Sequence, residues 1–383
     1  MKRKILLVSE ALWIGGIETA LVNLLSQMDY ETYEVTLLLR RSIFEGDMRQ
    51  RIPAQCRVLS LDRENGQYRF SRMYHLTEHC GQPSRLHKVM MWTVPAIRWV
   101  ENRLYITYVR KQMQDMHFDV CLIFSDVTAE TAVRAIRADR YLLFYHHGAM
   151  RKAWHDEIGY RRADKIIAVS GAVERKLRAF RPKYAGKMMT LHNLTDVEGI
   201  REKSLAFVPE TFPEGLFHIV SCGRVSREKG MDLAVEAAAV LAALGRDDFH
   251  WWIVGGGPAE AEVRAMIAEL HMEDRVTMLG MRENPYPYIR RADLYVQPSR
   301  FESYGMTIAE AMVLGKRIVS TDTDGAEELI RNGETGILCA ARAADIAATV
   351  ADAMKRPYAE ADHSEEIWER NRIVLKRLNV LLQ

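Results

Sequence analysis

The sequence is short of cysteine, of long apolar runs and of net charge. Each shortage removes a class of protein. Its 383 residues hold five cysteines (Cys56, Cys80, Cys121, Cys222 and Cys339), with no C-x-x-C pair and no Cys/His cluster. That excludes a disulfide framework and a structural zinc site. Cys121 and Cys222 stand inside apolar strand-like runs, where a thiol packs as a small core residue. Reduced cytosol is the expected compartment. The first apolar run, Ile5–Val8, stops at Ser9 and Glu10. It is too short for a signal-peptide core and reads as a buried first strand. Val89–Ile97, an uncharged apolar stretch in the basic half, falls far short of the ~20 residues that span a bilayer. No G-x-G-x-x-G and no P-loop Lys-Ser/Thr occurs.

What is present is an ordinary globular composition, 48% hydrophobic and 27% charged, which excludes disorder and collagen-like repeats. At roughly 150 residues per domain the length predicts two domains. The net charge of +2 hides a split: residues 1–200 carry net +9 and residues 201–383 net −7. Such asymmetry points to an anionic partner for the first half. The excess is concentrated in 67–114, net +6. There Trp92, Val94, Ile97, Trp99, Leu104, Tyr105 and Tyr108 are interleaved with the cations. A basic amphipathic helical insertion that meets anionic lipid headgroups is one reading. A helical hairpin with a solvated basic face is the other. No nucleic-acid motif accompanies the patch.

Short apolar runs alternate with helical segments, which predicts parallel sheets covered on both faces. Strands are expected at Ile5–Ser9, Val35–Leu39, Val120–Phe124, Tyr141–Tyr145 and Ile166–Val169. After a polar stretch, Asp196–Pro213, taken as an inter-domain linker, the pattern restarts. Phe217–Cys222, Trp251–Val254, Val276–Leu279, Leu294–Gln297, Arg317–Ser320 and Gly336–Leu338 are the expected strands there. The fold class is therefore α/β, with two doubly wound Rossmann-like units. Such sheets bind ligands beyond the carboxyl ends of their strands.

Three pieces of the second half carry chemistry. The first is Gly223-Arg224-x-x-x-x-Lys229-Gly230, a turn after a strand with two cations suited to a diphosphate. The second is the turn Gly255-Gly256-Gly257-Pro258, equally readable as a tight strand-to-helix turn. The third is Glu302-Ser303-Tyr304-Gly305-Met306-Thr307 with Glu310 in the following helix. Free N–H groups of Gly305, Met306 and Thr307 form an anion site at a helix start. Glu302 is placed to accept from sugar hydroxyls, and Glu310 to reach a ribose diol.

These residues resemble the family-4 retaining glycosyltransferases, which have the GT-B fold. The family's E-x7-E matches Glu302 and Glu310, its G-R-x-x-x-x-K-G matches Gly223, Arg224, Lys229 and Gly230, and its amino-terminal G-G-x-E loop matches Gly15, Gly16 and Glu18. Ser303-Tyr304 departs from the family's usual Gly-Phe, which bears on donor choice.

The resemblance implies the following organisation. Residues 1–197 form an acceptor-binding domain carrying the insertion, 198–364 bind a nucleotide-sugar, and 365–383 form a helix returning to the first domain. It implies that Arg224 and Lys229 hold the diphosphate, Glu302 contacts the sugar and Glu310 the ribose. The main chain near Gly280–Arg282 receives the base. Gly15, Gly16 and His146 or His147 face the sugar. It implies retaining, metal-independent transfer of a hexose, UDP favoured, to a glycolipid or polysaccharide precursor, with no cofactor. Asp322-Thr323-Asp324 reads as a polar turn and not as a metal pair. The expected location is cytoplasmic, peripheral at the inner membrane face. The alternatives are a silent GT-B scaffold or partner subunit, and a GT-B epimerase or phosphorylase.

Overall fold

The computed structural model describes residues 2–61, 99–147, 150, 156–210, 212–355 and 363–383, Glu101 apart. Of the basic insertion, residues 67–98 and 101 lie outside the described residues. The two expected parallel sheets are both present. The first has β1 (Arg3–Ser9), β2 (Tyr33–Leu39), β3 (Arg57–Ser60), β4 (Phe118–Ile123), β5 (Ala138–Tyr145), β6 (Lys165–Ala168) and β7 (Met188–Thr190). Their order is β3-β2-β1-β4-β5-β6-β7. The second has β8 (Phe217–Cys222), β9 (Phe249–Val254), β10 (Val276–Gly280), β11 (Leu294–Gln297), β12 (Ile318–Thr321) and β13 (Ile337–Cys339). Its order is β10-β9-β8-β11-β12-β13. In each sheet the order reverses beside the first strand, β1 against β4 and β8 against β11.

The central strands are largely apolar because both faces are covered. All six residues of β9, Phe-His-Trp-Trp-Ile-Val, are buried. Trp251 is fully buried, and its indole N–H donates to Ser221 Oγ at 3.0 Å. Ser221 Oγ in turn donates to Val296 O at 2.6 Å, so three neighbouring strands are tied through one buried hydroxyl. Removing such a ring from water contributes about 3 kcal/mol. β8 and β9 pair in register from Phe217↔Phe249 to Cys222↔Val254. β11 pairs Leu294↔Ile219 and Tyr295↔Val220. Continuing that register sets Gln297 beside Cys222, so β8, β9 and β11 end at one level.

Two strands were not expected from the sequence. β3 is a half-exposed edge strand, and β7 is three residues long. Neither makes an apolar run. The stretch read as a linker contains a helix, Val197–Ser204. Asp196 caps it, accepting from Gly199 N at 3.0 Å, and Val197 and Ile200 are buried. Its other residues are polar, which hid the short apolar face.

The chain divides into two compact units. One comprises Met1–Trp13, Gln27–Tyr145 and Lys152–Ile166; the other comprises Ile14–Ser26, His146–Arg151 and Ile167–Gln383. Within the second unit two buried asparagines grip one piece of backbone. Asn23, on the helix Gly16–Ser26, donates to Leu194 O at 2.9 Å. Asn371, on the helix Ser364–Leu382, accepts from Thr195 N at 3.1 Å and donates to Thr195 O at 2.7 Å.

Candidate functional site

β8 and β11 flank the reversal of the second sheet, and the two charged motifs leave their carboxyl ends. The loop after β8 is Gly223–Gly230, and the loop after β11 is Pro298–Gly305. They are bonded to each other main chain to main chain. Arg300 N donates to Glu228 O at 2.8 Å, and Phe301 N to the same oxygen at 3.3 Å. Gly230 has φ 67°, and a Cβ there would lie 2.0 Å from Pro298 O, so only glycine allows the approach. Arg300 also forms a bidentate ion pair with Asp232, both contacts 2.7 Å. Burial pushes the Asp232 carboxyl up, but the Arg300 hydrogen bonds and charge bring it below the usual range.

The glycine turn after β9 is bonded to the same place. Gly223 N donates to Val254 O and Val225 N to Gly256 O, each at 3.0 Å. Gly255 N donates to Gly280 O at 2.9 Å, which attaches the Gly280–Arg282 turn. Gly255–Pro258 is thus the support on which the Arg224 loop rests.

The sequence-expected residues take these places. Glu302 and Glu310 are each only 6% exposed, although carboxylates usually face water. Lys229 Nζ meets Glu302 Oε1 at 2.7 Å. Ser299 Oγ donates to that oxygen at 2.8 Å, and Gln297 Nε2 at 3.2 Å. Tyr286 Oη donates to Glu310 Oε1 at 3.4 Å. Burial raises the buried Tyr295 phenol well above its usual range, the neighbouring Cys222 thiol adds to this, and the charges of Glu310 and Glu302 raise it further. The two carboxylates therefore converge on one buried region. Burial likewise pushes the Cys222 thiol up, with Glu310 adding to it.

Gly305, with φ 88°, caps the helix Met306–Val313 from the left-handed region. Thr307 Oγ1 donates to Gln297 Oε1 at 2.8 Å. Arg224 is exposed and meets no carboxylate among the described residues. Arg282 is exposed as well. Gly16 opens the helix Gly16–Ser26 and lies against Met306, with the Met306 Cγ 4.0 Å from a Cβ built at Gly16. Gly15 precedes it. His146, buried, and His147, half-buried, follow β5 and belong to the same compact unit as Gly15, Gly16 and Met306. Asp324 pairs with Lys176. Asp322 hydrogen-bonds Glu327, whose carboxyl that bond raises above its usual range.

Sequence reasoning missed Gln297, Ser299 and Tyr295, which surround Glu302. It also missed a second cluster at the departure from the family pattern. Tyr304 is buried and stacks on His192, ring centroids 5.6 Å apart. His192 Nε2 meets Glu328 Oε2 at 2.8 Å, and Glu328 Oε1 accepts from Gly171 N at 2.8 Å. The His192 hydrogen bond holds the Glu328 carboxyl below its usual range. A polar Gln closing the apolar strand Leu-Tyr-Val-Gln was the one available signal for the first group.

Residues 203–372 match the family model described as Glycosyl transferases group 1. The chain is 32% identical over 185 residues to the N-acetylgalactosamine-N,N'-diacetylbacillosaminyl-diphospho-undecaprenol 4-alpha-N-acetylgalactosaminyltransferase of Campylobacter jejuni, covering 47% of each chain. It is 34% identical over 198 residues to the lipopolysaccharide core biosynthesis mannosyltransferase LpsB of Rhizobium meliloti, covering 47% of this chain and 52% of that one. It spans about half the length of these curated relatives. The crystal structure of Anabaena HepE in complex with UDP and glucose superposes over 98% of this chain and 99% of that one, with TM-score 0.72 and 17% identity. At that identity the likeness establishes the fold, the two-sheet GT-B architecture.

Proposed function

We propose that this chain, whose residues 203–372 match the group 1 glycosyl transferase model and whose two sheets have the GT-B fold, transfers a hexose from a nucleoside-diphosphate sugar to a glycolipid or polysaccharide-precursor acceptor. UDP is the favoured nucleotide. One observation carries the reading. Lys229, Glu302, Glu310 and the helix start at Gly305 are gathered where β8 and β11 end, at the reversal of strand order, the usual ligand position of such a sheet.

The residues divide the work by chemistry. Arg224, exposed and without a carboxylate partner among the described residues, offers a bidentate fork to the diphosphate. Lys229, paired with Glu302 at 2.7 Å, neutralises charge as the nucleotide leaves. The N–H groups of Gly305, Met306 and Thr307 receive a phosphate. Glu302 accepts from the sugar hydroxyls, Glu310 from the ribose diol, and the Gly280–Arg282 main chain meets the base. Gly15, Gly16 and a histidine, His146 or His147, border the sugar. In the retaining reaction the bond from the anomeric carbon to the phosphate oxygen breaks. The acceptor oxygen bonds to the same face, and its proton passes to the departing phosphate. The cations of the step are Arg224 and Lys229, and the proposal assigns no metal and no cofactor.

The proposal places the protein at the cytoplasmic membrane face. Among the described residues, no helix is long and apolar enough to cross a membrane. The described end of the insertion exposes Trp99, Val100 and Leu104, with the Arg103 guanidinium 5.1 Å from the Trp99 ring centroid. This supports docking on anionic lipid.

A thermal-shift panel of UDP- and GDP-sugars tests the donor site, since a ligand held by the folded state raises its stability. At least one UDP-sugar is expected to raise the melting temperature, and Arg224→Ala and Glu302→Ala to abolish transfer. Full activity in either variant would sink the site assignment, and no shift with any sugar would favour a silent scaffold.

A further inference from the structure

We propose that Gln297 is a positioning residue: its amide N–H₂ orients Glu302 so that Oε1 faces Lys229 and Oε2 faces the transferred sugar, while its carbonyl holds Thr307 at the phosphate-binding helix start. The inference rests on the donor-site reading above and adds a residue to it.

Gln297 is 1% exposed. A side-chain amide has two donor hydrogens and two acceptor lone pairs, and here all are used. Oε1 accepts from Tyr295 Oη at 2.6 Å and from Thr307 Oγ1 at 2.8 Å. Nε2 donates to Ser299 Oγ at 2.7 Å and to Glu302 Oε1 at 3.2 Å. These neighbours fix which end is which. A hydroxyl and a phenol can donate to the carbonyl, but a carboxylate can only accept, so it must face the N–H₂. The flipped amide would set a carbonyl oxygen against Glu302.

The consequence lies at Glu302. Three donors (Lys229 Nζ, Ser299 Oγ and Gln297 Nε2) all meet Oε1. None among the described residues meets Oε2. One oxygen is saturated by protein, and the acceptor capacity of the other is left for hydroxyls of a ligand. The same amide joins the two halves of the site. Glu302 belongs to the loop after β11, Thr307 to the helix that follows, and Gln297 bonds to both. The other titratable or charged groups facing this network are Lys229, Tyr295, Glu310 and Cys222.

Gln297→Glu keeps the shape and replaces the N–H₂ by a carboxyl oxygen about 3 Å from Glu302. Like-charged carboxyls that close bind a proton as a pair. When the proton is present the introduced O–H still donates to Glu302, while the donation to Ser299 Oγ is lost at every pH; when the proton is lost the two carboxylates repel. The melting temperature of the variant is therefore expected to lie slightly below the parent at pH 5 and to fall progressively further below it by pH 8. Hydrolysis of UDP-glucose, or of whichever UDP-sugar stabilises the parent in the panel, should be near parental at pH 5.5 and at least tenfold below the parent at pH 8. UDP affinity should stay within threefold. A melting-temperature gap independent of pH, with a pH–rate profile parallel to the parent's, would overturn the proposal. If no nucleotide-sugar binds the parent, the donor-site reading fails, and the melting titration alone still decides whether the amide N–H₂ faces Glu302.

Discussion

Gly257→Ala is the most direct test of the idea that main chain sets the site. A Cβ at Gly257 would lie 2.3 Å from Val225 O and 2.9 Å from both Val225 C and Val225 N. Ordinary contact would need a displacement of about 1 Å. The obstacle is backbone, and it is itself bonded: Val225 N to Gly256 O at 3.0 Å, and Ala259 N to Val225 O at 3.1 Å. Overpacking of this kind costs about 1–3 kcal/mol, and weakening two buried hydrogen bonds adds about 1 kcal/mol for each, so a loss of about 3–5 kcal/mol is expected. The displaced residue follows Arg224, so the guanidinium moves as well, and UDP affinity should fall at least tenfold. Urea unfolding read by tryptophan fluorescence gives the first quantity, since Trp251 and Trp252 lie on β9 just ahead of the turn. Calorimetry with UDP gives the second. Gly186→Ala is the control, because a Cβ there meets nothing within 4 Å. If Gly257→Ala unfolds at the control's midpoint and binds UDP as tightly, the support role of this turn is wrong.

Two further outcomes follow from other parts of the molecule. Burial, and then the charge of the neighbouring His218, holds the His250 imidazole down at about 4, against an ordinary 6.5. The unfolded chain thus binds the proton first; stability is complete above pH 6.5 and drains as pH falls towards 4, by about 3 kcal/mol in all. Urea midpoints between pH 7.5 and 4.5 should show this slope and lose most of it in His250→Gln; an unchanged slope in the variant would assign the effect elsewhere. The net +6 of residues 67–114 predicts binding to vesicles containing phosphatidylserine that weakens with salt, and equal binding to neutral vesicles would remove the membrane proposal.

The sheets were legible because parallel strands buried on both faces are written as apolar runs, as in Phe217–Cys222 and Leu294–Gln297. β3 and β7 were not, because an edge strand needs no such run. The helix Val197–Ser204 buries too few side chains to show a periodicity. Glu302, Glu310, Arg224 and Lys229 were found from their spacing after strand ends, which the structure gathers at β8 and β11. Their arrangement was not legible. The bonds from Glu228 to Arg300, from Lys229 to Glu302 and from Gly223 to Val254 join residues dozens of positions apart. Gln297 looked like the last residue of a strand, and only the positions of Tyr295, Ser299, Thr307 and Glu302 around it give its amide a task.

The two asparagines that grip Leu194 and Thr195 have a consequence for how the chain is made. Asn23 reaches 171 positions along the sequence and Asn371 reaches 176. During synthesis the backbone at 194–195 emerges with its first clamp already made and its second not yet translated. The ribosome adds about 5–20 residues each second, so Thr195 waits roughly ten seconds or more for its partner. For that interval the Thr195 N–H is left to water and its C=O keeps only the local bond from Val197 N at 3.1 Å, and the place the helix Ser364–Leu382 will cover is open. The bonds between Asn371 and Thr195 can therefore form only after residue 371 has left the ribosome.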